Sequence, residues 1–143
     1  MRKHSQASVE LIILLAALFA FLAAFIPAIN SARALANFAA VSRAQESALS
    51  RVAEAASHAS VLGNGNSFST PVFLPADNTS FFFDADSGEL RMSFASSGRA
   101  SNSSRALSFP VSLYNATRLP RGSFQATVSC LNGEVRVSFA QEK

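Results

Sequence analysis

Nineteen consecutive residues, Leu11 to Ile29, carry no charge, and apart from Pro27 all are Leu, Ile, Ala or Phe. At a rise of about 1.5 Å per residue this run makes a helix roughly 28 Å long, about one hydrocarbon thickness. No other feature constrains the chain as much, because such a helix must be covered by lipid or by other protein. A single acid, Glu10, stands at its front edge. An ionised carboxylate beside hydrocarbon is costly unless it finds a partner. A plain anchor can only place it among lipid headgroups, whereas a helix that leaves the lipid to pack against copies of itself can use the charge to set register.

Arg2, Lys3 and His4 precede the run. The positive-inside rule keeps that end in the cytoplasm and sends the remainder of the chain outside. The run is longer than the apolar core of a secretory signal, about 7–15 residues. Ala32-Arg33-Ala34 has the form of an A-x-A cleavage site, and cutting there would remove the whole span.

Gln6, Ser8, Glu10 and Leu14 fit the pattern QxSxExxxL. Together with the short basic leader and the long apolar helix, they resemble the class III signal peptide of archaeal type IV pilin-like proteins. The resemblance covers about the first thirty residues. It implies that a prepilin peptidase cuts between Ser5 and Gln6 and leaves the apolar stretch on the mature protein. Leaders of that family usually end in Gly or Ala, and Ser5 departs from this. Cleavage would remove Arg2 and Lys3 and create an α-amino group with a pKa near ~7.7–8. The resemblance further implies that Glu10 pairs with the N-terminal amine of a neighbouring subunit. Such a pair adds little net stability in a dry core, but an unpaired Glu10 there is heavily penalised, which selects one register. Cyclisation of Gln6 would remove the amine. Pro27 deletes one backbone hydrogen bond and is expected to kink the helix; proteins of the family often carry a proline in this region.

Beyond Pro27 the chain to Leu62 holds neither Gly nor Pro and is rich in Ala, so the helix is expected to continue. Leu35, Phe38, Leu49, Val52, Ala56 and Ala59 recur at helical spacing, with Arg43, Glu46, Arg51 and Glu54 largely elsewhere. Small residues along that stripe suit close packing on other helices or on the chain's own β domain. Gly63-Asn64-Gly65-Asn66 ends the helix.

From about Phe68 onward the sequence has strand character. Short β-prone runs are expected at Phe81–Phe83, Leu90–Phe94, Leu107–Tyr114, Phe124–Leu131 and Glu134–Ala140, with Ser96–Ser104 as a polar loop. Asn132-Gly133 is a strong two-residue hairpin signal. It sets Leu131 opposite Glu134, Cys130 opposite Val135, Val128 opposite Val137 and Ala126 opposite Phe139. Cys130 then falls on the apolar face, as a core residue rather than a nucleophile. Pro71, Pro75 and Pro110 confine their segments to edges or bulges. A head of roughly 75 residues without a disulfide has a marginal core and gains from packing on the helix or on neighbours.

The expected fold class is α+β: a long N-terminal helix, whose apolar half is a membrane span or filament core, followed by a small antiparallel β-rich head. The expected organisation is a leader at 1–5, a helix at 6–62 with its apolar span at 11–29, a linker at 63–67 and the head at 68–143.

Three N-x-S/T sequons, at Asn78, Asn102 and Asn115, lie in the exterior part and are candidate N-glycosylation sites. Asp84-Ala85-Asp86-Ser87-Gly88-Glu89 has the acids of a calcium loop but not the spacing of an EF-hand, and a hairpin turn explains it better. No catalytic set, metal-ligand set or cofactor motif is apparent: the two histidines are His4 in the leader and His58 on the helix. The net charge of +3 comes from singly scattered bases, which argues against nucleic-acid binding.

These features lead to the expectation of a non-enzymatic structural subunit of an extracellular type IV pilus-like filament used in surface attachment. It would be a single-pass membrane precursor before processing and assembly. Its partners would be copies of itself or related pilins, the prepilin peptidase and assembly machinery, and membrane lipid before assembly. The alternative is a membrane-anchored or minor pilin-like binding module that does not build a main filament.

Overall fold

A computed structural model describes the backbone of residues 2–96 and 98–142, with side chains described from Val9 onward within those limits. The chain divides into two units, Met1–Asn37 and Phe38–Lys143. The fold is α+β. Among the described residues, helix α1 (Arg2–Leu62) is followed by seven strands: β1 (Ser67–Leu74), β2 (Ser80–Asp84), β3 (Glu89–Ser96), β4 (Arg99–Ala106), β5 (Val111–Tyr114), β6 (Gly122–Leu131) and β7 (Glu134–Gln141).

Helix α1 stops where the sequence supplies a cap. Gly63 takes a left-handed φ of 77°, and its N–H donates to the Ala59 carbonyl at 3.1 Å. Asn66 Nδ2 then donates to the free Leu62 and Gly63 carbonyls at 2.8 and 3.2 Å. The linker does not end there. The Gly65 N–H donates to the Cys130 carbonyl (3.0 Å), the Cys130 N–H to the Asn66 carbonyl (3.1 Å), and the Gly133 N–H to Asn64 Oδ1 (2.8 Å). The tip of the β6–β7 hairpin is thereby tied to the end of the helix.

In the second unit, one face of the helix is buried along Ala48, Leu49, Val52, Ala53, Ala56 and Ala59. It shares a core with Leu74, Phe81, Leu90, Met92, Val128 and Phe139 from the strands. The alanines present only a methyl group each, so the helix can lie close to the sheets. The Phe81 and Phe139 rings stack at 4.7 Å between centroids, joining strands of different sheets. Phe38 is half-buried, with the Arg99 guanidinium 5.8 Å from its ring centroid. Leu35, expected on the same stripe, falls in the first unit and is exposed.

The strands form a four-stranded sheet in the order β1-β6-β7-β5 and a three-stranded sheet in the order β2-β3-β4. All pairs are antiparallel except β5 with β7, which is parallel. The β6–β7 register matches the expected one pair by pair, from Leu131↔Glu134 to Ala126↔Phe139. The Asp84–Glu89 segment is the turn of the β2–β3 hairpin.

Three expectations change. The polar stretch within Ser96–Ser104 is largely strand β4, paired with β3 from Ser96↔Arg99 to Glu89↔Ala106. Its Ser and Asn residues have low β-propensity, and the ladder with β3 holds them in place regardless. Strand β1, absent from the expected runs, pairs along the edge of β6, and Pro71 sits within it opposite Gln125. An edge position tolerates the missing N–H. The run Leu107–Tyr114 shortens to β5, because Pro110 cannot donate and the chain bends at Ser108-Phe109.

Candidate functional site

Within the first unit, every large apolar side chain from Val9 to Ile29 is between 43% and 69% exposed. Five successive residues, Leu11 to Leu15, all lie open. At about 100° per residue they cover the whole circumference of the helix, so there is no polar side to turn toward water. Each such side chain is worth about 1.5–3 kcal/mol on full burial. A surface like this is costly to leave in water. The segment is a helix long and apolar enough to cross a membrane. Phe21 and Phe25, one turn apart, stack at 4.2 Å between centroids.

Glu10 is exposed at the front edge of this surface, one helical turn before Leu14. The helix brings these two motif residues onto adjoining turns of one face. The motif's Gln6 and Ser8, and Ser5 at the expected cut, have side chains that lie outside the described residues. Pro27 stands inside α1, which continues through it unbroken. Lacking an N–H, it leaves the Ala23 carbonyl without its intrahelical donor, a free acceptor in the middle of an apolar surface.

Compared with protein-family models, curated proteins and solved structures, the chain gives no match in any of the three. The functional reading therefore rests on the residues.

In the head, the asparagines of all three sequons are exposed. Asn78 and Asn115 both adopt left-handed φ, 55° and 51°. Their segments are brought together by the Thr79–Leu119 bridge and by Phe81 N–H donating to the Ala116 carbonyl at 2.8 Å. Asn102 lies apart, on edge strand β4 opposite Ser93.

The acidic turn is held by its own chain. Asp84 Oδ1 accepts from the Asp86 and Ser87 N–H groups at 3.1 and 3.4 Å, and Arg91 bridges Asp84 and Glu89 at 2.8 and 3.1 Å. The Ser87 side chain foremost, then the two turn N–H groups and Arg91, hold the Asp84 carboxyl below its ordinary value against the opposing effect of desolvation. Among the described residues no group of three or more His, Cys, Asp or Glu is arranged to hold a metal ion. A groove of about 360 Å³ beside α1 has Ser50, Ser57, His58 and Arg105 in its lining. The Arg105 guanidinium is turned to Ser50 Oγ and Glu46 Oε1, at 3.1 and 3.4 Å. Cys130 is buried, its Sγ 3.7 Å from Asn64 Oδ1.

The sequence reading missed one buried polar contact. Gln45 is fully buried on the packed face of the helix, and its Nε2 donates to Thr79 Oγ1 at 3.1 Å. Thr79 Oγ1 donates in turn to the Ala76 carbonyl at 3.0 Å. The spacing of Gln45 to Leu49 and Val52, four and seven residues, already puts it on the buried stripe.

Proposed function

We propose that this chain is a structural subunit of an extracellular type IV pilus-like filament, made as a membrane-inserted precursor and processed before assembly. One observation carries the reading: the helix from Leu11 to Ile29 is apolar and open on every side, with the carboxylate of Glu10 at its front edge. In the precursor, lipid covers that surface. In the filament, the same surface of neighbouring copies covers it. The exchange of lipid for protein gives little hydrophobic gain, so packing and the Glu10 contact decide the arrangement. The β-rich unit then forms the part that faces solvent, where Asn78, Asn102 and Asn115 are open to glycan attachment and surface contacts are made.

Mass spectrometry of the N-terminal peptide, with Glu10→Ala as the companion variant, tests this. The mature protein is expected to begin at Gln6, with or without cyclisation. Glu10→Ala is expected to remain in the membrane while filaments disappear. A chain that keeps Met1 would be a permanent anchor carrying a binding module, and one beginning near Leu35 would be a secreted domain. Normal filaments from Glu10→Ala would remove the assembly role of the carboxylate.

A further inference from the structure

Two Asn-Gly dipeptides occur, Asn64-Gly65 in the linker and Asn132-Gly133 at the hairpin tip. Asn-Gly is the sequence most prone to spontaneous deamidation, because glycine offers no side chain to hinder its own nitrogen. In that reaction the glycine nitrogen attacks Cγ of the preceding asparagine. A new C–N bond forms, the side-chain amide leaves as ammonia, and the nitrogen's proton goes to solvent base. Water then opens the succinimide ring to aspartate or isoaspartate. All four residues are exposed, so solvent exclusion protects neither pair.

Hydrogen bonding protects both. The Gly133 nitrogen donates to Asn64 Oδ1 at 2.8 Å, and the Gly65 nitrogen donates to the Cys130 carbonyl at 3.0 Å. Each nitrogen that would attack is held by the segment that carries the other pair. To react, a glycine nitrogen must lose its proton and swing toward the neighbouring Cγ, and both motions break that bond. We infer that Asn64-Gly65 and Asn132-Gly133 are latent deamidation sites that guard one another, with Asn64 Oδ1 as the guard of Asn132. Isoaspartate at position 132 would add a backbone carbon to a two-residue turn, and so disturb the register of β6 with β7 in the middle of the larger sheet.

The test follows isoaspartate at each asparagine by peptide mass spectrometry in the full chain held in detergent micelles at mildly alkaline pH. The same protein unfolded in urea serves as reference. The folded protein should deamidate more slowly than the unfolded one at both sites. Asn64→Ala should raise the rate at Asn132 by about fivefold, the factor that one lost hydrogen bond contributes to a local opening equilibrium. Asn64→Asp keeps an acceptor oxygen and should stay near the wild-type rate. An unchanged Asn132 rate in Asn64→Ala overturns the inference, as does equal acceleration in Asn64→Asp. Amide exchange at Gly133 in the wild-type chain gives an independent check, since exchange as fast as in a free peptide would show that the nitrogen is not held.

Discussion

Gln45 Nε2 donates to Thr79 Oγ1 across 3.1 Å, inside the apolar layer between α1 and the strands. The contact fixes the helix against the turn that leads into β2. It also leaves Gln45 Oε1 without a protein partner. Thr79→Val removes the acceptor and strands a buried amide, so the chain is expected to lose about 1–3 kcal/mol. Gln45→Leu combined with Thr79→Val should cost less than the sum of the two single changes, because no orphaned amide remains. Urea unfolding of the wild type and the three variants measures the coupling. Additive losses would mean that the bond is not formed.

Leu49 is fully buried among alanines of its own helix and the strand side chains, whereas Leu131 is 44% exposed at the hairpin tip. Leu49→Ala is expected to cost about 2–5 kcal/mol by leaving a cavity. Leu131→Ala should stay within about 0.5 kcal/mol of the wild type. Comparable losses in thermal unfolding would show that the helix does not pack on the strands as described.

Much of the fold was legible in the sequence. Helical spacing singled out Leu49, Val52, Ala56 and Ala59, and one Asn-Gly turn set the whole β6–β7 register, because alternation in both strands agreed with it. Strand β4 was not legible: Arg99 to Ala106 is mostly Ser, Asn, Arg and Ala, and only its long-range pairing with β3 makes it a strand. The parallel alignment of β5 with β7 depends on a chain crossing that no local pattern encodes. Gln45 was overlooked because an amide on a stripe of alanines reads as a solvent-facing residue until its partner, Thr79, is found. At the candidate site the apolar surface, Glu10 and Pro27 were visible from residue types alone. The guard of Gly133 by Asn64 needed the tertiary contact.

The Ser112 hydroxyl donates to Glu134 Oε1, and Arg136 lies 3.3 Å from Glu134 Oε2. The Ser112 bond foremost, then Arg136, hold the Glu134 carboxyl below its ordinary value of 4.5, with desolvation opposing them. A carboxyl lowered in the folded state stabilises the fold above its unfolded value, and that contribution fades as pH falls through the lowered folded value. Acid sensitivity from this group therefore lies below pH 4.5. Ser112→Ala should move the Glu134 titration upward in NMR and flatten that part of the stability profile. An unmoved titration would exclude the bond.

Gly133 has a φ of 79° with open space where a Cβ would stand. Gly133→Ala meets no neighbour, so its expected cost is the left-handed backbone alone, about 1–2 kcal/mol. A larger loss in unfolding measurements would mean that more than the backbone conformation is at stake in the turn.

Strand β7 lies between β6 and β5 in the larger sheet, yet it follows the other six strands in the chain. Until Glu134–Gln141 has been made, β5 has no partner in that sheet and β6 is unpaired along one edge. During synthesis, the head therefore cannot close ahead of its own translation. The smaller sheet, β2-β3-β4, and the β1–β6 pair have all their strands before that point, so the larger sheet is the part of the head completed last.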